Sequence, residues 1–268
     1  MRRPNGLAAL LPDVVEIAEE AGAAVLVVYA QSDYAVRQKP GRGPVTRADL
    51  VAHDLLVARL GALVPDIPIV SEESLAPSYT ERRAWRRFWL IDPLDGTKEF
   101  IAHIDEFAIN IALIEDGRPV MGVVAGPALT VTYFAANGLG AFKLARGGSW
   151  QRIASRPFGE APLKIVGSRF REDEALRSFL RRLGPADCVR MGSALKFCAI
   201  AEGGAHLYPQ LGPTMEWDTA AGQAILEAAG GAVIDASGAD LRYNKLDLRN
   251  PPFVASSDRA HAWHCYLP

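Results

Sequence analysis

The stretch Asp92, Pro93, Leu94, Asp95, Gly96, Thr97 follows directly on the apolar run Phe88, Trp89, Leu90, Ile91. A short apolar run bounded by turn formers reads as a buried strand, so this strand is expected to end in two carboxylates. Pro93 keeps the residue before it off helix, and Gly96 lets the backbone turn sharply. Carboxylates placed there can share a cation. Hard divalent ions such as Mg²⁺ prefer oxygen ligands, usually one or two carboxylates, with water and phosphate oxygens in the remaining positions. The stretch therefore points to a metal site that handles phosphate.

Upstream, after the turn Pro65, Asp66, Ile67, Pro68, the residues Ile69 to Ser74 read as a short strand running into the acids Glu72 and Glu73. Taken alone, this Glu pair is better explained by a solvated strand end than by a metal. Two strands that both end in acids nevertheless bring their carboxylates together when they are neighbours, and the segment Glu81 to Arg87 between them reads as basic surface. Earlier still, Val45 to Asp49 introduce a helix through about Leu60. Thr46 is the N-cap candidate and Asp49 completes the capping turn, a structural role that spacing alone favours. Leu7 to Tyr29 form the first long helix, with Leu10, Leu11, Val14, Val15, Ile17, Ala18, Ala21 and Val25 on a wide apolar stripe. Between the two helices, Ser32 to Pro44 read as a mobile loop rich in turn formers, whose basic charge could meet substrate phosphate but is better explained by a solvated loop.

Downstream, Phe107 to Leu113 and Val120 to Val124 have the β-branched, apolar character of a hairpin closed by Glu115, Asp116, Gly117 and Arg118. Thr130 to Ala135 and Ala141 to Leu144 extend a largely antiparallel sheet across the turn at Asn137 and Gly138. Gly and Pro accumulate from Gly147 to Pro162, which sets an expected boundary between an N-terminal α+β lobe, residues 1–155, and a C-terminal α/β lobe, residues 156–268. The second lobe alternates: strand Leu163 to Val166, helix Asp173 to Leu183, strand Cys188 to Met191, helix Ala194 to Ala201, strand Ala205 to Tyr208. This rhythm argues for a partly parallel, helix-covered sheet. In Glu216 to Gly222, Asp218 stands where a helix begins, so N-capping explains it; Ala220, Ala221 and Gly222 would also let a ligand approach the backbone, and a helix N-terminus favours an anion. The tail from Gly231 closes the sheet, and His261, His264 and Cys265 there are surface or core residues rather than a metal site.

Composition sets outer limits. With 268 residues and 49% hydrophobic content the chain can bury a large core. A formal net charge of −2 offers no broad attraction for a nucleic acid polymer or anionic lipid. Cys188, Cys198 and Cys265 are an odd count without metal spacing and read as reduced thiols, mostly core fillers. Arg2 and Arg3 do not open a signal peptide, because the apolar stretch behind them soon meets Pro12, Asp13 and Glu16, and no run reaches membrane-spanning length. The expected setting is the cytoplasm, free or at the inner membrane face, as a monomer or homodimer.

Glu72 and Glu73 in SEES, DPLDGTKEF at 92–100 and WDTAAG at 217–222 together resemble the three signatures of the Mg²⁺-dependent, lithium-sensitive inositol monophosphatase superfamily. Within it, residues 192–222 and the KEF extension are similar to bacterial 3′(2′),5′-bisphosphate nucleotidases of the CysQ type, and the resemblance runs from PVTRAD at 44–49 to the last strand. It implies a layered αβαβα sandwich and removal of the 3′-phosphate from 3′-phosphoadenosine 5′-phosphate, giving AMP and phosphate without a phosphoenzyme. Inositol or sugar monophosphates are the alternative substrates, and a non-catalytic phospho-ligand sensor is the alternative from another class.

Residue by residue, the resemblance makes Glu72, Asp92, Asp95, Asp218 and the Leu94 carbonyl the ligands of two Mg²⁺ ions, with a third allowed. Thr97 and Asp49 match the pair that orients the attacking water, which displaces capping as the reading of Asp49, and Glu73 would support the site from its edge. Gly96 and Thr97 backbone donors cradle the phosphate. Ser193 and Lys196 match positions that approach the nucleotide, Lys196 toward the 5′-phosphate, with Ser168 and Arg169 as further candidates and Asp218 serving both metal and substrate. Gln210 stands where close relatives place an Arg, which opens the question of what meets the second phosphate.

Overall fold

The computed structural model describes residues 6–31, 34–39, 43–145, 147–159, 162–170 and 174–267, with the backbone alone at 39 and 43. Arg2, Arg3, the loop residues 40–42 and Asp173 lie outside the described residues. The first helix, α1, spans Leu7–Tyr29 as the apolar stripe predicts. A two-stranded ribbon, β1 (Arg37–Lys39) and β2 (Gly43–Val45), then leads into α2, Arg47–Leu63. So the segment expected to be an irregular loop is partly paired.

Two sheets follow. The first contains β3 (Ile69–Ser71), β4 (Arg87–Asp95), β5 (Ala108–Glu115), β6 (Arg118–Gly126), β7 (Val131–Ala136), β8 (Gly140–Ala145) and β9 (Gln151–Ile153), lying side by side in that order. Only β3 runs parallel to its neighbour; β4 to β9 form an antiparallel meander. The β5–β6 turn has Asp116 and Gly117 both at positive φ, 51° and 73°, as the tight two-residue hairpins require. Short helices α3 (Tyr79–Arg82) and α4 (Thr97–Ile101) interrupt the run. The segment read as basic surface is only partly so. Arg82 is 3% exposed, and its guanidinium bonds Asn244 Oδ1 at 2.7 Å and the Lys245 carbonyl, tying the first half of the chain to its tail.

The second sheet has the order β11 (Ala186–Met191), β10 (Leu163–Ser168), β12 (Leu207–Gln210), β14 (Phe253–Ser256), β13 (Ala232–Asp235), parallel at the first three strands and antiparallel beyond. Helices α5 (Glu174–Leu183), α6 (Leu195–Ala201) and α7 (Ala220–Ala228) accompany it.

Strand parity decides how these parts stack. Trp89, Ile91, Ile109, Ile111, Leu113, Met121 and Val123 face α1 and α2 in one apolar core. The alternate residues Phe88, Leu90, Ala108, Ala112 and Val124 face the opposite way, joining α6, α7 and the inner face of the second sheet in another. A third cluster, with Leu163, Ile165, Phe179 and Trp263, sits beyond the second sheet beside α5. Because β4 and β5 are covered on both faces, they read as continuous apolar runs rather than alternating ones. The result is the layered αβαβα sandwich, and its middle core belongs to both halves of the chain.

Small residues make that middle layer thin. A Cβ on Gly122 of β6 would lie 2.3 Å from the Ala221 carbonyl, and one on Gly222 would lie 2.5 Å from the Phe197 ring. The small residues at 220–222, read as room for a ligand, instead admit the sheet and α6. Of the three cysteines only Cys198 is buried, whereas Cys188 and Cys265 are exposed, against the expectation of core filling. Among the described residues no helix is long and apolar enough to cross a membrane.

Candidate active site

Four segments from distant parts of the chain meet at the end of β4. The strand runs on past Ile91 and ends in the two carboxylates, as expected, carrying through Asp95 with a slip in register: Asp92 pairs with Asn110 and Asp95 with Ala108. Residues three apart on a regular strand point to opposite faces. The extra residue of the bulge cancels that, so Asp92 and Asp95 can both line the same cavity, and Pro93, which has no N–H, costs the ladder nothing there. Gly96, at φ 91°, turns the chain into α4, a conformation that side-chain-bearing residues rarely adopt.

Glu72 follows β3, and its N–H donates to the Ile91 carbonyl at 3.2 Å, which sets it beside Asp92. Asp218 closes a 3-10 turn, Glu216–Asp218, by accepting from the Met215 N–H at 2.8 Å. It is therefore not the N-cap of α7; that position is Thr219. The turn is held from beneath by Glu216, fully buried and bonded to the Asn244 and Lys245 amides and to Lys245 Nζ.

Carboxylate oxygens of Glu72, Asp92 and Asp218 all lie within 4.8 Å of one another, and among the described residues no other His, Cys, Asp or Glu group does so. Burial first, then the charges of Glu72, Asp95, Asp218 and Asp49, push the Asp92 carboxyl well above its ordinary range. Asp218 is raised in the same way, by burial and then by Asp95 and Glu72. Buried acids that repel one another, with oxygen as the only donor type, fit a hard divalent cation. Asp95 stands slightly apart. Its Oδ2 accepts from the Ala194 N–H at 2.5 Å and from Asn110 Nδ2 at 3.3 Å, and burial raises its carboxyl while Lys196 and those donors hold it down.

Asp49 and Thr97 meet beside this cluster. Asp49 Oδ2 accepts from the Thr46 N–H at 2.7 Å and the Thr46 hydroxyl at 2.6 Å, completing a capping box. Its Oδ1 faces Thr97 Oγ1 at 3.3 Å. Capping and the Thr97 contact therefore coexist, one on each oxygen. The same Thr97 hydroxyl is 3.2 Å from the Leu94 carbonyl, so its single proton goes to one acceptor or the other.

Two adjoining cavities open here. One, of about 660 Å³, is lined by Glu72, Asp92, Leu94, Asp95, Thr97 and Asp218. The other, of about 180 Å³, is lined by Ser168, Phe170, Ser193, Lys196, Tyr208 and Gln210; Asp95, Gly96, Lys98, Glu99 and Asp218 border both. Lys196 is 6% exposed. It donates from Nζ to the Ser193 carbonyl at 2.6 Å and lies 5.0 Å above the Tyr208 ring. Burial lowers its ammonium, and Asp95 leads the charges that hold it up.

Arg169, a substrate candidate by sequence, lines neither cavity and instead grips Glu106 with both arms of its guanidinium. Glu73, expected at the edge, is half-buried, lines neither cavity, and has its amide on Ser71 Oγ.

A comparison of the whole chain bears on this geometry. The sequence profile of the inositol monophosphatase family matches residues 9–266, which includes every segment of the site. The chain belongs to the inositol monophosphatase family. It is 46% identical over 248 residues to the 3′(2′),5′-bisphosphate nucleotidase CysQ of Salmonella typhimurium, covering 91% of this chain and 98% of that protein. With the protein of the same name from Escherichia coli K12 it is 43% identical, covering 92% and 99%. A crystal structure of CysQ from Bacteroides thetaiotaomicron, a bacterial member of the inositol monophosphatase family, superposes with a TM-score of 0.80 at 36% identity, covering 91% of this chain and 96% of that one. A Thermotoga maritima IMPase gives 0.76 at 27%, covering 94% and 93%.

Membership in the inositol monophosphatase family accounts for the three quoted signatures but leaves other residues of the site unmarked. Glu106, which receives Arg169 and the Gly192 N–H, and Glu99, buried on the wall of both cavities, were not singled out by the sequence. For Glu99 a signal was present, since it sits inside KEF; for Glu106 there was none, because its partners lie over sixty residues away.

Proposed function

We propose that this protein is a Mg²⁺-dependent phosphomonoesterase that removes the 3′-phosphate of 3′-phosphoadenosine 5′-phosphate, giving AMP and phosphate by direct attack of water. The observation that carries the substrate class is identity of 43–46% along nearly the full length of proteins named 3′(2′),5′-bisphosphate nucleotidase. The chemistry is supported by three carboxylates within 4.8 Å of one another, with the Thr97–Asp49 pair at their side.

Glu72, Asp92 and Asp218, with Asp95 and the Leu94 carbonyl beside them, would hold the ions, and bound Mg²⁺ supplies charge neutralisation and Lewis-acid activation at the phosphate. The chain's own residues do the rest. When the Thr97 hydroxyl donates to Asp49 Oδ1, its oxygen, on the cavity wall, is free to accept a proton from the attacking water as its own proton passes on. Asp49 is placed to take the hydroxyl proton in turn, held for this by its bonds to Thr46. Gly96 and Thr97, at the start of α4, line the larger cavity and are assigned to cradle the phosphate, and Asp218 borders both cavities, where it would lie between the reacting phosphate and the rest of the substrate. The smaller cavity is assigned to the second phosphate, met by Ser168, Ser193 and the buried ammonium of Lys196, with the nucleoside at its open mouth. The uncharged Gln210 in its wall accepts from the Tyr208 hydroxyl at 2.9 Å and so adds no cation of its own.

We place the protein in the cytoplasm, acting on small phosphorylated molecules rather than on a nucleic acid polymer. A Mg²⁺-dependent phosphate-release assay with Asp92→Asn as control tests the reading. Release by the wild type and loss in the variant are expected; no release from any small phosphate would favour a phospho-ligand sensor. Li⁺ is expected to inhibit in competition with Mg²⁺, read as an apparent inhibition constant that rises with Mg²⁺ concentration.

A further inference from the structure

Ser193 is a side-chain-bearing residue at φ 52°, in the left-handed region, at the start of the segment that carries Lys196. Such a backbone persists only where its surroundings fix it, and here the fixing groups belong to the other half of the chain. The Gly192 N–H donates to Glu106 Oε2 at 2.8 Å, and the Ala194 N–H donates to Asp95. Contact is too close for any side chain at 192, since a Cβ there would lie 2.5 Å from the Glu106 carbonyl and 2.7 Å from Glu99 Cγ. Glu106 is itself locked, with Arg169 Nε on Oε2 at 3.0 Å and Nη2 on Oε1 at 2.7 Å. Arg169 Nη2 also reaches the Arg190 carbonyl at 3.1 Å, at the base of the same segment. A planar fork on a carboxylate fixes direction as well as distance.

We propose that Glu106 is a positioning residue for substrate binding. Through Gly192 and Arg169 it holds residues 192–196 in the strained form that brings Ser193 and Lys196 to the smaller cavity. It lines neither cavity and so does not touch the reacting phosphate. The proposal rests on the nucleotidase reading above.

The test compares wild type, Glu106→Gln and Glu106→Ala on two substrates, 3′-phosphoadenosine 5′-phosphate and glycerol 2-phosphate, which is small enough to occupy the acidic cavity alone. Leaving the Gly192 N–H and the Arg169 fork without their acceptor is expected to raise KM for the bisphosphate about tenfold in Glu106→Ala, with kcat within about twofold. Glu106→Gln keeps the shape and one acceptor, and is expected to raise KM only about threefold; it also serves if the alanine variant does not fold. Glycerol 2-phosphate hydrolysis should stay within about twofold throughout. An equal loss on both substrates, or an unchanged KM for the bisphosphate, would overturn the proposal. A wild type that prefers glycerol 2-phosphate would instead overturn the nucleotidase reading and the proposal with it, and that is visible before any variant is made.

Discussion

At Asp49 two roles fall on the two oxygens of one carboxylate, and they are separable by mutation. Asp49→Asn keeps an acceptor for the cap but cannot take a proton, so kcat is expected to fall about 10²-fold or more with the melting temperature near that of the wild type. Asp49→Ala should lose the same activity and also the capping bonds, about 1 kcal/mol, seen as a melting point lower by roughly 2–4 °C. Thr97→Ala, which removes the hydroxyl between Asp49 and the cavity, is expected to cost kcat about 10²-fold while leaving Mg²⁺ affinity, read by titration calorimetry, within about threefold. Loss of activity only in the variants that also melt early would contradict the division. The spacing of Thr46 and Asp49 made the cap readable, because a capping box is local. The contact with Thr97 spans 48 residues and was reached only through family resemblance. Arg169 went the other way: the resemblance offered it as a further substrate candidate, and its capture by Glu106 depends on long-range packing that no local pattern announces.

Among the elements, β4 shows where periodicity fails. That β4 ends in two acids was readable, but Asp92, Pro93 and Asp95 are poor strand formers, and what was not readable is the bulge between Asp92 and Asp95 that absorbs them and orients both acids. A bulge is a property of pairing, so it has no signature in one strand alone. The hairpin at Asp116 and Gly117 was readable because its positive φ values need those residue types. Helix α7 was foreseen as an element, but its small residues, read as also allowing a ligand to approach, admit α6 and the sheet instead, since small residues signal close approach without naming what approaches. Gly222→Ala tests the corrected reading. Its Cβ meets the Phe197 ring, and the overpacking is expected to cost about 1–3 kcal/mol in urea unfolding. An unchanged midpoint would mean that α6 and α7 do not pack as described.

For the molecule as a whole, the layers came from the family resemblance and agree with the order of elements, whereas the shared middle core was not readable, because a boundary in the Gly and Pro cluster from 147 to 162 does not say which faces on its two sides pack together. That shared core is what lets Glu72, Asp92 and Asp218 converge. Burial and mutual repulsion hold the Asp92 and Asp218 carboxyls above their unfolded values, so without metal the stability they contribute is present at acid pH and lost as pH rises through the folded values. Mg²⁺ at about a hundred times its dissociation constant should stabilise the fold by about 2.7 kcal/mol, raising the melting point roughly 5–10 °C over an EDTA control. The gain should be larger near pH 8 than near pH 5 and lost in Asp92→Asn; a gain that survives that substitution would place the ion elsewhere. The most direct test of the proposed function is kcat/KM, measured with Mg²⁺, for 3′-phosphoadenosine 5′-phosphate against inositol 1-phosphate and fructose 1,6-bisphosphate. The account predicts a preference of about tenfold or more for the nucleotide, since inositol 1-phosphate has no second phosphate for Lys196 and fructose 1,6-bisphosphate has one but no adenosine. A clear preference for inositol 1-phosphate would contradict it.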